Sequence, residues 1–188
     1  MNRKTLSLAV LSIALLVATS CATQHQQSAL NETRAMTSAG LESLTDVEAG
    51  AILHTINDGE ITLARMAVAN ATNPAVRDYA QMMITDHTNA NAMLEREGYA
   101  ATPNSAVNAL NTSVDHMRNM LQSSSGPQFD RTYIAQQIDM HQNALAMVGE
   151  HLQPSAQDPD LRKILSDAHS TVEMHLQHAK DLQNQIGR

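Results

Sequence analysis

The sequence has few aromatic residues and almost no cysteine. Its 188 residues include three Tyr, one Phe, no Trp and a single Cys, whereas Ala, Leu, Met, Gln and Asn are abundant. Strands favour aromatic and β-branched side chains, so this composition argues against an all-β fold and predicts helices. A chain of this length buries roughly two thirds of its unfolded surface, so it needs neither a disulfide nor a metal merely to fold.

The sequence also lacks any run of Lys or Arg. It carries 12 basic and 19 acidic residues, for a formal net charge of −7. A nucleic-acid partner needs clustered cations to neutralise several phosphates, so the sequence predicts no nucleic acid as a partner. Nucleotide-binding loops, nucleophile elbows and paired-carboxylate hydrolase sites are missing as well, which leaves hydrolase and transferase functions without support.

One uncharged apolar segment, residues 6–17, follows Arg3 and Lys4 near the N-terminus. About a dozen residues cannot span a bilayer as a permanent helix, which takes roughly 20, so the segment is typical of a signal peptide. The small residues that follow it lead into Cys21, the only cysteine. This resembles a bacterial lipobox, in which cleavage precedes the cysteine and a lipid is attached to it. The alternative is that Cys21 is an ordinary small residue near an ordinary cleavage site.

The lipobox resemblance divides the chain into three parts. Residues 1–20 are predicted to be a signal peptide, residues 21–41 the lipidated Cys21 with a flexible tether, and residues 42–188 a helical domain. Ala22 in place of Asp after the cysteine resembles the pattern for sorting to the outer membrane. The resemblance therefore implies an outer-membrane lipoprotein that faces the periplasm and contacts the membrane through its lipid. A tether of this length reaches about 25 Å.

Helix-capping signals predict four long helices. They begin at the capping box Thr45-Asp46-Val47-Glu48, at Asn73-Pro74, at Gly126-Pro127 and at Asp158-Pro159, and they end at Asn70, before Gly98, before Pro154 and close to Gly187.

The long connection between the second and third helices, residues 99–126, contains a further helical pattern. Its apolar residues Leu110, Val114, Met117 and Leu121 recur at helical spacing and predict a fifth, shorter helix. The other two links are short, so the long helices are expected to form two antiparallel hairpins. Two hairpins joined by a long connection are typical of a ferritin-like four-helix bundle, and an up-down-up-down bundle is the alternative.

Each long helix carries one residue of metal-ligand type near the middle of its apolar stripe. The four are Glu60, His87, His141 and His175. Burying three imidazoles and a carboxylate costs several kcal/mol unless they bond to one another or to a cation, so the four are expected to meet. If a metal binds, this donor set suits Zn, Cu(II), Ni or Fe rather than Ca or Mg.

Helix rise gives the expected depth of each residue in the bundle. Glu60 and His87 lie roughly 18 and 21 Å from the link between their helices, so they are level. His141 lies about 17 Å and His175 about 26 Å from the other link. This estimate pairs Glu60 with His87 and separates His175 from His141 unless the helices slide or the link is asymmetric.

The motifs on these helices resemble a known family over about residues 45–185. They are Glu60-Ile61-x-Leu63-Ala64, Val76-Arg77-x-Tyr79-Ala80-Gln81-Met82-Met83 leading into Asp86-His87, the helix with His141, and His175-Leu176-x-x-Ala179. The resemblance is to the bacterial envelope family known as domain of unknown function 4142. It implies a ferritin-like fold and an exported location, and it brings no established activity and no catalytic residue.

The Glu-x-x-His pairs of di-iron bundles are missing from the sequence. Asp139-x-His141 and Glu173-x-His175 are spaced so that the carboxylate points about 200° away from its histidine, which argues against ferroxidase or oxygenase chemistry. Two hypotheses remain. The protein is a metal-binding, stress-protective or metal-handling protein, or it is a structural or interaction module in which the four residues form only a polar core network.

Several other residues carry weaker expectations. The methionines are predicted to fill gaps in a core with few aromatics, and copper binding by their thioethers is the alternative. Asp86 and Asp139 are interpreted as solvated helix charge, and orientation of an imidazole on a neighbouring helix is the alternative. His175-x-x-His178 is interpreted as a surface pair that binds metal weakly. Four histidines lie off the apolar stripes and are expected to face solvent: His54, His116, His151 and His169.

Overall fold

The structure is a computed structural model that describes residue 41 and residues 44–187. It contains six helices: α1 (Asp46–Asn70), α2 (Pro74–Arg96), α3 (Ser105–Gln122), α4 (Gly126–Met147), α5 (Gln153–Ser155) and α6 (Pro159–Ile186). A π-helical turn, Val148–Leu152, joins α4 to α5. None of the described residues forms a strand, and none of their helices is both long and apolar enough to cross a membrane. The predicted signal peptide, Cys21 and most of the tether lie outside the described residues.

Side-chain caps fix the starts of three long helices, as the sequence predicts. At α1 the Thr45 hydroxyl accepts from the Glu48 amide, while the Glu48 carboxylate accepts from the Thr45 amide at 2.9 Å. At α2 the Asn73 side chain accepts from the Ala75 amide, and at α6 the Asp158 side chain accepts from the Asp160 and Leu161 amides. The start of α4 differs, since Gly126 has a positive φ of 57° and no side chain caps the helix.

Contacts between helix ends set the direction of each helix. Asp130, in the first turn of α4, accepts hydrogen bonds from Thr72 and from the Asn73 amide in the link between α1 and α2. Asp46, at the start of α1, accepts from the Gln157 and Asp158 amides just before α6. Helices α1 and α6 therefore start at one end of the bundle, and α2 and α4 start at the other.

The bundle thus consists of two antiparallel hairpins, α1 with α2 and α4 with α6. The predicted fifth helix, α3, crosses back along the outside and packs on α1 and α4. This order is the predicted pair of hairpins joined by a long connection. The ferritin-like assignment itself stays a prediction.

Two apolar clusters occupy the two halves of the bundle. One contains Leu53 of α1 and Leu94 of α2, and the other contains Leu63 and Met83 of the same two helices. The stripes of α4 and α6 divide between the clusters in the same manner. Each of the four ligand-type residues lies in sequence between the two apolar parts of its helix, so the fold places them in one layer across the middle of the bundle.

The helical path after α4 continues through Pro154, and the prediction that it stops before this proline is wrong. In the π-helical turn the Gln153 amide donates to the Val148 carbonyl, five residues back. A proline in an α-helix clashes with the carbonyl four residues back, and the wider turn relieves that clash. The chain is therefore helical as far as Ser155.

We expect Gly50→Ala to destabilise the fold by about 1 kcal/mol. A Cβ at Gly50 would lie 2.7 Å from Cβ, Cγ and Cδ1 of the buried Tyr99 ring, and overpacking of this kind costs roughly 1–3 kcal/mol. Ala gains about 1 kcal/mol of helix propensity over Gly, which offsets part of that cost. Gly149→Ala is the control, because the nearest atom there lies 3.7 Å away. Urea unfolding of both variants measures the difference, and equal stabilities would contradict the close contact.

Candidate metal centre

Three histidines from three helices meet in the middle of the bundle. The ring centroids of His87 on α2 and His175 on α6 are 5.3 Å apart, and that of His141 on α4 lies 6.1 Å from the first and 5.5 Å from the second. One ring nitrogen from each histidine lies within 4.8 Å of one from each of the others. All three side chains are buried, with exposed fractions of 1–4%.

One nitrogen of each ring has a hydrogen-bond partner outside the three histidines. Nδ1 of His87 lies 2.9 Å from Oδ1 of Asn57, and Nδ1 of His141 lies 2.8 Å from the Gln137 carbonyl oxygen. Nε2 of His175 lies 3.0 Å from Oδ2 of Asp86. Each partner is an acceptor, so each of these ring nitrogens carries the proton.

The remaining nitrogens are then left with lone pairs and no proton. They are Nε2 of His87, Nε2 of His141 and Nδ1 of His175, and none of them finds a hydrogen-bond partner among the described residues. Three buried acceptors without a donor are unfavourable as a structural arrangement. A cation between them would use all three lone pairs at once.

Burial keeps the three imidazoles neutral. Desolvation lowers the pKa of His141 from 6.5 to about 4 and lowers the pKa of His87 well below 6.5. It also lowers the pKa of His175, although the hydrogen bond to Asp86 opposes this shift. Neutral imidazole is the form that binds metal, so the centre is ready for a cation at neutral pH.

Glu60 lies beside His141, on the side of its Nδ1 atom. Its Oε1 lies 3.4 Å from Nδ1 of His141, the nitrogen that donates to Gln137, and its Oε2 accepts from Nε2 of Gln137 at 2.8 Å. Desolvation raises the pKa of this fully buried carboxyl to about 7. Because burial favours the neutral form of both partners, the contact between Glu60 and His141 is not a permanent ion pair. The structure thus brings the three histidines together and places Glu60 behind one of them.

The family is established by a match over most of the chain. Residues 23–182 match the family described as Domain of unknown function (DUF4142). The chain belongs to this family.

Comparison with solved structures adds a fold neighbour to this DUF4142 chain. It is similar to "CopM in the Cu(II)-bound form", with a TM-score of 0.60 and 18% sequence identity, over 76% of this chain and 98% of the other. At that identity the similarity shows a shared fold. No curated protein matches the chain by sequence.

The depth estimate that separated His175 from His141 is wrong, since their rings are 5.5 Å apart. The reason is the continued helix after Pro154. Measured to Ser155, His141 lies about 21 Å from the end of its helical path, and His175 lies about 24 Å from the start of α6.

Sequence reasoning missed two residues that hold the centre in place. Asn57 orients His87, and its Nδ2 donates to Oδ1 of Asn91 at 2.8 Å. The Nδ2 of Asn91 donates in turn to Oδ1 of Asp58. Gln137 serves both His141 and Glu60. Asn57 lies one helical turn before Glu60, and Gln137 lies one turn before His141. Both residues could have been found from the sequence by looking for a polar residue that lies three or four positions before a candidate ligand and beside the apolar stripe.

The outer carboxylates and methionines behave in part as expected. Asp86 contacts His175 from the neighbouring helix, as in the alternative interpretation, whereas Asp139 is exposed, as expected for solvated helix charge. Met83 is fully buried in the core, but Met174 is 64% exposed.

Two expectations about other histidines are wrong. His54 is buried rather than solvated, because its ring fits between Asp58 and Glu95, each 3.2 Å away. His175 and His178 are not a surface pair, since His175 is buried while the exposed His178 packs edge-on against Tyr79. Of the remaining off-stripe histidines, one is exposed and two are half-buried: His116, and His151 with His169.

Proposed function

We propose that this protein binds one transition-metal ion at His87, His141 and His175 and serves in metal handling or metal-stress protection in the cell envelope. The observation that carries the proposal is the set of three buried ring nitrogens that lack hydrogen-bond partners among the described residues. Such acceptors each cost about 1–3 kcal/mol when left unpaired, and a bound cation removes that cost.

The donor chemistry narrows the choice of metal. Imidazole nitrogen suits Zn, Cu, Ni and Fe, whereas Ca and Mg prefer oxygen ligands. Three protein ligands leave at least one coordination position open, as in catalytic rather than structural zinc sites. The fold shared with CopM, which was solved in a Cu(II)-bound form, supports placing Cu(II) first among the ions to be tested.

Hydrogen bonds outside the ligands support a built metal site. Histidine ligands usually donate their second N–H to a carboxylate, a backbone carbonyl or a water, which fixes the ring and raises its basicity. The Asp86 carboxylate and the Gln137 backbone carbonyl are partners of these types, and the side-chain oxygen of Asn57 provides a third acceptor. The alternative hypothesis is a structural or interaction module in which these residues form only a polar core network. It leaves the three ring nitrogens buried without hydrogen-bond partners among the described residues, at a cost of about 1–3 kcal/mol each.

The proposed location rests on the N-terminal motif. The signal-peptide pattern of residues 1–20 and the lipobox-like residues before Cys21 support an exported lipoprotein held at the outer membrane. With the tether of residues 21–41, the metal-binding domain would stand clear of the lipid surface on the periplasmic side.

Metal analysis of the purified protein tests the function. After dialysis against Cu(II), Zn(II), Ni(II) or Fe(II), we expect the wild type to retain about one ion per chain of at least one of these metals. His87→Ala, His141→Ala and His175→Ala should each lose it, because two imidazoles hold an ion weakly. His178→Ala is the matched control and should retain it. If no ion is retained, or if His178→Ala loses it like the others, the proposal is wrong.

A further inference from the structure

A surface pocket of ≈ 280 Å³ lies between α2 and α6 and reaches one of the three histidines, His87. Its wall includes His87 itself and two residues that orient ligands, Asn57 and Asp86. A second groove, formed by α1, α3 and α4, is lined by none of the three histidines. The pocket between α2 and α6 is therefore a place where the surface of the protein comes close to the buried centre.

Asp86 marks the boundary between solvent and the centre. Its side chain is 38% exposed, while the side chain of His175, which it contacts at 3.0 Å, is 2% exposed. One end of the contact therefore faces water and the other belongs to the buried layer.

The pocket lining is suited to cations. It contains the carboxylates of Asp86 and Asp167 and the thioethers of Met93 and Met174, and its described lining contains no Lys or Arg. Asp167 is paired with Lys163 at 2.6 Å, so its charge is partly compensated. Asp86 has no Lys or Arg partner among the ion pairs of the described residues; its contact is with His175, and its partly exposed carboxylate lines the pocket. Negative charge in a cleft raises the local concentration of cations and their association rate.

We propose that metal ions enter and leave the centre through the pocket between α2 and α6, and that Asp86 is the carboxylate that receives the incoming ion. This inference rests on the proposed metal-binding function. It gives Asp86 two separable roles. Its charge attracts the cation, and its Oδ2 accepts the hydrogen bond that keeps Nδ1 of His175 turned toward the other histidines.

Obstruction of the pocket tests the route. Thr171 is half-buried and lines the pocket, whereas Thr132 is equally half-buried but lines a different pocket on α4. We expect Thr171→Phe to slow both association and dissociation of Cu(II) by about tenfold, with little change in Kd. Thr132→Phe should leave the rates unchanged. Stopped-flow quenching of tyrosine emission measures them, since Tyr79 contacts the His175 carbonyl.

Substitutions at Asp86 separate its two roles. Asp86→Asn keeps an oxygen acceptor for His175 but removes the charge, so Cu(II) association should slow and lose most of its dependence on ionic strength. Asp86→Ala also removes the acceptor, so the affinity itself should fall by about 10–100-fold. Asp167→Asn is the matched control and should have a much smaller effect, because Lys163 already offsets that charge.

The outcomes distinguish this inference from the proposed function. If wild-type protein binds none of Cu(II), Zn(II), Ni(II) and Fe(II) at equilibrium, the proposed function and this route are both wrong. If it binds but Thr171→Phe, folded and with native melting temperature, exchanges Cu(II) at the wild-type rate, the route is wrong and the metal centre stands. An unchanged association rate in Asp86→Asn would likewise remove Asp86 from the route.

Discussion

Cu(II) is expected to raise the melting temperature of the wild-type protein by roughly 5–10 °C. A ligand at one hundred times its Kd adds about 2.7 kcal/mol to the free energy of unfolding. A domain of this size gains roughly 2–4 °C for each kcal/mol. The three imidazoles are neutral at pH 7, so binding there has no deprotonation cost at the ligands. Differential scanning calorimetry with and without Cu(II), Zn(II), Ni(II) and Fe(II) measures the shift.

The melting-temperature rise in single-residue variants distinguishes metal ligands from the residues that support them. His87→Ala should abolish the rise, because it removes a lone pair from the centre, and His178→Ala should leave it intact. Glu60→Gln decides between two ligand sets. The sequence predicts Glu60 as a fourth ligand, whereas the structure places it behind His141. A largely retained rise in Glu60→Gln supports three histidine ligands, and a rise lost as completely as in His87→Ala supports four. If none of the four ions shifts the wild-type curve, the metal function is contradicted.

The fold could largely be predicted because its helix ends are determined by capping residues close to them in sequence. The capping box at Thr45 and the proline after Asn73 act within one turn, so they can be recognised without knowledge of the tertiary structure. The π-helical turn before Pro154 could not be recognised in this way. A proline usually ends a helix, and whether the chain widens into a π turn instead depends on packing against other helices.

The candidate site was predictable to the level of helix faces and no further. Regular spacing put His87, His141 and His175 on apolar stripes, and burial of polar groups required them to find partners. Which ring nitrogen turns inward depends on long-range contacts, such as Asp86 with His175, which lie 89 positions apart. The side from which Glu60 approaches depends on Gln137, 77 positions away. Such contacts have no periodic signature in the sequence.

The metal-free protein is expected to show opposing pH effects from the histidines and from Glu60. The unfolded chain takes up protons on its histidines below about pH 6.5, whereas the folded chain resists because His141 has a pKa of about 4. The free energy of unfolding therefore falls as the pH decreases from about 6.5 to about 4, by about 3 kcal/mol for His141 alone. His141→Gln should flatten this acid limb, and His116→Gln, at an exposed histidine, should not.

Glu60 acts in the other direction. Its pKa in the folded protein, about 7, exceeds its ordinary value of 4.5, so between these values the folded state holds a proton that the unfolded state has lost. The stability associated with Glu60 is therefore complete below pH 4.5 and is lost as the pH rises through 7, by about 3 kcal/mol in total. Glu60→Gln has no charge to bury. Its free energy of unfolding should match that of the wild type most closely at pH 4.5 and exceed it increasingly up to pH 8.

Urea denaturation of wild type and Glu60→Gln at half-unit intervals from pH 4.5 to pH 8 measures this divergence, with metal removed by chelation and dialysis. Parallel curves would mean that Glu60 titrates alike in the folded and unfolded chains, which is incompatible with a carboxyl that is 1% exposed and hydrogen-bonded to Gln137. Diverging curves would instead show that the ionised form of Glu60 is buried, away from water, in the layer that contains the three histidines. The stabilisation of that charge by a bound cation would then add to metal affinity above pH 7, whether or not Glu60 is itself a ligand.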